Sequence, residues 1–70
     1  MDKESIGRAI RKKRRQKGFT QRQMAEAVGV KPSYIARIEN GRANFTIEKF
    51  LKIAAFLRVP PFGLFDTKPL

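Results

Sequence analysis

Gly18, Gly29 and Gly41 divide the chain, and the two runs between them, 19–28 and 30–40, are too short to hold a helix unaided. Isolated helices below about 12–15 residues are marginal in water, so each run must lay an apolar side against another. The apolar residues are spaced for this. Ile6, Ala9 and Ile10 recur at helical intervals, as do Met24, Ala25 and Val28, then Ile35 and Ile38, then Ile47, Phe50, Leu51, Ala54 and Leu57. No strand alternation and no internal repeat competes with this reading.

Local signals set the boundaries. A helix is predicted over residues 5–17, opening at Ser5 and closing at Gly18. Thr20-Gln21-Arg22-Gln23 has the form of a capping box, with Phe19 placed to staple onto Met24, and the helix it starts runs to Val28. Pro32 suits a first helical position, so a third helix spans Pro32 to Glu39 and stops at Asn40-Gly41. Thr46 caps a fourth that reaches Leu57, and Val59-Pro60-Pro61 breaks it. A last turn or two of helix is expected over 62–65, with 67–70 as a frayed tail.

A chain of 70 residues supports one domain, 1–70, and leaves no room for a cleft between domains. It has neither Cys nor His. That removes disulfides, zinc fingers, thiol nucleophiles and imidazole catalysis, and with six scattered acids and no Gly-rich phosphate loop, no enzyme, cofactor, metal or small-molecule ligand is expected. Asp2, Lys3 and Glu4 exclude a signal-peptide apolar region at the start, and no apolar stretch approaches the roughly 20 residues that span a bilayer. A cytoplasmic location follows as the expectation.

Sixteen Lys and Arg against six Asp and Glu give a net charge of +10. Of these, 12 basic and 4 acidic side chains lie in residues 1–42, so the positive field belongs to the N-terminal part. A polyanion is the natural partner: nucleic acid, an anionic membrane surface or an acidic protein. The membrane reading fails because the later helices carry inner faces that demand a common core.

Residues 21–40 fit a helix-turn-helix. Ala25 is small where two helices must approach, Gly29 sits where the turn needs a positive φ, and Met24, Val28, Val30, Ile35 and Ile38 are apolar where the pair shares a core. With Gly18-Phe19-Thr20-Gln21, Ser33-Tyr34-Ile35 and Ile38-Glu39-Asn40-Gly41, the sequence resembles the phage-repressor type of helix-turn-helix proteins, the Cro/CI-like or XRE family. The resemblance continues through Thr46 to Leu57. It implies an all-α, lambda-repressor-like five-helix bundle that regulates transcription by binding a pseudo-palindromic DNA operator as a homodimer, the third helix in the major groove. Small phage repressors, antitoxins and restriction–modification controllers all fit, with RNA polymerase as a further candidate partner. A protein-bridging or RNA-binding module using the same basic face is the alternative.

Carried over by position, the resemblance makes Ser33 and Arg37 base readers, one turn apart on the outward side of the third helix, with Tyr34 and Pro32 beside them. Pro32 departs from the polar residue many relatives hold there, so readout at that place is steric. Gln21, Arg14, Lys31, Asn40, Arg42 and Asn44 fall at phosphate-contacting positions, and Arg14 is expected to pair with Glu39. Ile53 and Phe56 make a second ridge on the fourth helix that is either extra core or, with Phe62, Leu64 and Phe65, a self-complementary dimer patch, which is the expectation carried forward. The remainder of the basic run from Arg11 to Lys17 reads as a solvated face that attracts DNA at long range.

Overall fold

The computed structural model describes residues 2–64. Four α-helices follow one another: α1 (Lys3–Gln16), α2 (Gln21–Val28), α3 (Pro32–Glu39) and α4 (Ile47–Leu57), and a 3-10 turn spans Pro61–Leu64. The expected fifth helix is thus only that 3-10 turn among the described residues. Two successive prolines deny this segment backbone donors and hold it to a single turn. Phe65 and the tail 67–70 lie outside the described residues.

Every helix begins on a side-chain cap except α3, which substitutes Pro32 in its first turn. The Thr20 capping box is complete: Gln23 N–H donates to Thr20 Oγ1 at 3.0 Å, and Thr20 N–H donates to Gln23 Oε1 at 2.8 Å. Helix α1 starts two residues before Ser5, because Asp2 is the cap and accepts from the Ser5 amide at 2.7 Å. The Ser5 hydroxyl and amide together hold the Asp2 carboxyl below its usual pKa. At the other ends, Gly18 (φ 76°) and Gly41 (φ 70°) take the left-handed conformation. Phe19 N–H then reaches Arg14 O at 3.1 Å, and Arg42 N–H reaches Arg37 O at 2.8 Å, closing the last turns of α1 and α3. Arg58 does the same after α4, at φ 57°, with a side chain that disfavours this conformation.

The core joins Ile10 of α1, Met24, Ala25 and Val28 of α2, Ile35 and Ile38 of α3, and Phe50, Ile53, Ala54 and Leu57 of α4, with Ala43 and Leu64 completing it. One expected stripe is rotated. Ile47 and Leu51 are exposed, at 77% and 47%, while Ile53 is fully buried. Helix α4 meets the bundle along the Phe50–Ile53–Leu57 line, and Ile47, at its first turn, faces away from it.

Gly7 has a steric reason. A Cβ there would collide with the carbonyl oxygen of Ile38 and come within 2.9 Å of that of Glu39, so α1 rests directly on the backbone at the end of α3.

Candidate nucleic-acid interface

Helices α2 and α3 form the expected helix-turn-helix, turning at Gly29 (φ 84°), where Gly29 N–H and Val30 N–H both reach Ala25 O, at 2.8 and 3.0 Å. Ala25 is completely buried at this junction, as are Ile35 and Ile38. Burial of those two isoleucines turns the opposite side of α3 outward, so Pro32, Ser33 and Arg37 are exposed together, with Lys31 at the cap before them. Ser33 and Arg37 lie on that exposed side, where the Arg37 guanidinium donates to the Arg42 carbonyl at 3.5 Å.

A buried polar node fixes α3. Arg14 Nε donates to Glu39 Oε2 at 2.6 Å and Nη2 donates to Glu39 Oε1 at 3.0 Å, while Nη1 donates to Phe19 O at 2.9 Å. Gln21 Nε2 completes the carboxylate, donating to Oε1 at 3.1 Å. The Glu39 side chain is 1% exposed and that of Arg14 9%. The bond to Glu39 raises the Arg14 pKa above its ordinary value, against the opposing effect of burial. One carboxylate at the end of α3 thus ties down the end of α1 and the start of α2. Gln21 and Arg14 are therefore anchored before any ligand arrives, and each keeps N–H groups beyond those used here.

The remaining expected site residues are partly regrouped. Asn40, Arg42 and Asn44 are exposed in the loop after α3. Asn44 is held at both ends, its carbonyl accepting from Tyr34 Oη at 2.6 Å and its side-chain Oδ1 from Lys3 Nζ at 3.4 Å. Tyr34 is half-buried, so its ring, and not its hydroxyl proton, is what it offers outward. A hollow of about 430 Å³ on the outward side is lined by Val30, Lys31, Ser33, Tyr34, Arg37 and Lys49. Lys49, from α4, joins the expected base-reading residues only through tertiary packing, and nothing in the sequence marks it.

A second groove, of about 550 Å³, lies where the end of α1 meets the starts of α2 and α3, and Arg11, Arg14, Arg15, Gln21, Arg22 and Pro32 are among its walls.

The expected dimer patch does not survive as drawn. Ile53 and Leu64 are fully buried in this chain's own core and have no surface to offer a second copy. Phe56 is half-buried under Phe19, ring centroids 4.5 Å apart. Phe62 remains, 71% exposed.

This arrangement defines a small basic helix-turn-helix domain, and comparison with known proteins agrees. The chain belongs to the helix-turn-helix family, whose sequence model matches residues 10–64. It is 38% identical over 66 residues to the HTH-type transcriptional regulator SlrR of Bacillus subtilis, covering 93% of this chain and 43% of SlrR. The solved N-terminal DNA binding domain of SinR from B. subtilis superposes with a TM-score of 0.81 at 35% identity, covering 93% of this chain and 96% of that one. SinR in complex with DNA gives a TM-score of 0.75 at 37% identity, over 84% and 95% of the two chains. The restriction-modification controller protein C.AhdI from Aeromonas hydrophila gives 0.86 at 32% identity, over 90% and 96%. The chain spans about half the length of the curated relatives SlrR and SinR. Among the described residues no helix is long and apolar enough to cross a membrane.

Proposed function

We propose that this chain is a sequence-specific, double-stranded-DNA-binding transcription regulator. In this reading α3 enters the major groove with Ser33 and Arg37 on base edges, and two copies occupy the two halves of a symmetric operator. The observation that carries it is the exposure of Pro32, Ser33 and Arg37 on a helix whose position is locked from behind by the Arg14–Glu39–Gln21 node. The naming of SlrR as a transcriptional regulator and the solution of SinR with DNA support the same reading.

Arg37 forks onto a guanine; Ser33 is the short partner that lets the backbone of α3 come close; Pro32 and the Tyr34 ring contribute shape. Gln21, Lys31, Asn40, Arg42 and Asn44 flank α3 and meet phosphates on either side, and Arg14 adds its spare N–H groups from within the node. The two copies meet through Phe62 and the exposed side of α4, since Ile53 and Leu64 are spent on the core.

Selection of bound duplexes from a random pool tests the reading. One symmetric sequence should emerge, and Arg37→Ala should then weaken binding by about 1–3 kcal/mol and relax preference at one position per half-site. A pool that stays random after selection would overturn it.

A further inference from the structure

Helix α1 carries an unpaired basic band. Arg8, Arg11, Lys12 and Arg15 are all exposed and recur at helical spacing on the side opposite Ile10 and Arg14. The two salt bridges among the described residues, Arg14–Glu39 and Lys52–Glu48, involve none of them. Four cations held this close repel one another, and an anionic ligand relieves that repulsion.

Three grooves connect along this band through shared walls. Arg11 and Arg15 line both the 550 Å³ groove beside α3 and a 470 Å³ groove on the outside of α1. Arg8 and Lys12 line that outer groove and also a third, of about 330 Å³, bounded by Ser5, Ala9, Lys13, Gln16 and Gly63. No Asp or Glu lines any of the three. A continuous positive track therefore leads from Arg22 and Pro32, at the edge of the reading helix, over Arg15 and Arg11 to Lys12 and Arg8.

We infer that this track holds the phosphates of the same duplex outside the sequence that α3 reads, so that flanking DNA follows α1 away from the operator. The inference rests on the DNA-reading function proposed above and extends it. Arg8 and Arg15 are about 10 Å apart along the helix axis, which matches about three base-pair steps of rise. The side chains present charge without a shaped pocket, so the contact is indifferent to base sequence and adds affinity and bending instead of specificity.

The experiment compares the full chain with Arg8→Gln/Lys12→Gln, two residues remote from the reading groove. Each protein is titrated onto the selected duplex trimmed to its symmetric core and onto the same core with ten extra base pairs on each side, across a salt series. The wild type should bind the extended duplex more tightly and with a steeper salt slope. The slope should exceed that on the trimmed duplex by about 0.9 for each phosphate gained, or about 1.8 per copy if Arg8 and Lys12 take one each. The double variant should bind both duplexes equally, and the trimmed one as the wild type does. Equal wild-type affinity for the two lengths would overturn the inference. So would a variant equally weakened on both, which would make the band a source of long-range attraction alone. Failure of the reading function is separable: the wild type would then bind a scrambled core as well as the selected one.

Discussion

Removing the carboxylate of Glu39 is the sharpest test of how α3 is held. In Glu39→Ala, Arg14 keeps its charge in a site where its side chain is 9% exposed, and loses two of its three hydrogen bonds. Breaking a buried pair from one side destabilises by about 3–5 kcal/mol. A domain of 70 residues has only about 4–10 kcal/mol in total, at roughly 0.05–0.15 kcal/mol per residue. Glu39→Ala should therefore sit close to its unfolding midpoint without denaturant. Replacing both partners, as Arg14→Met/Glu39→Met, removes the stranded charge. That variant should be more stable, by about 2 kcal/mol or more, than the sum of the two single losses allows. Urea unfolding followed by far-UV circular dichroism measures Glu39→Ala and the cycle of wild type, Arg14→Met, Glu39→Met and their double variant. Repeating it at 1 M NaCl distinguishes a buried pair, whose contribution persists, from a surface pair, which salt screens. Single losses that add to the double within about 0.5 kcal/mol would refute the node as described.

Three further outcomes follow from the packing. Arg58→Gly should stabilise by about 0.5 kcal/mol and raise the melting temperature by about 2–4 °C, since relief of the left-handed conformation exceeds the entropy that glycine adds to the unfolded chain; a lower melting temperature would show that the Arg58 side chain matters more than its backbone. Ile53→Ala should cost about 2–5 kcal/mol in urea unfolding and Leu51→Ala less than about 0.5, the reverse of what the sequence stripe implies. Gly7→Ala should destabilise by about 1–3 kcal/mol despite the better helix propensity of alanine, because the new methyl meets backbone oxygens that cannot rotate away; a thermal melt at or above wild type would mean that α1 slides freely on α3.

What could be read in advance was the chemistry local to a few residues. Thr20 with Gln23, Pro32, Thr46, and the glycines at 18, 29 and 41 act on their own backbone neighbours, and α2, α3 and α4 accordingly lie where those residues put them. The Arg14–Glu39 pair joins positions 25 apart and was visible only through resemblance to a family. The buried line of α4 was misread because Ile47, Phe50, Leu51 and Ile53 lie on overlapping helical stripes, and only the approach of the other helices selects Ile53. The same ambiguity put Ile53 into an interface when it belongs to the core, as does Leu64, which the 3-10 turn carries back onto α4. Asp2 caps α1 through the Ser5 amide, three residues on, whereas the sequence alone opens that helix at Ser5. Gly7 did carry a signal, since a glycine inside a helical pattern is unfavourable unless something needs the space. Lys49 carried none, because nothing local relates the first turn of α4 to the tip of α3.

The knot of Arg14, Glu39 and Gln21 has a mechanical corollary. Three helix ends share one carboxylate, so α3 cannot tilt or rotate by itself without tearing contacts that the interior cannot replace. Such a helix is stiff. If it reads DNA as proposed, the duplex must do the yielding at a site of imperfect shape, and sequences that twist or kink easily at positions the protein never touches should be favoured over rigid ones.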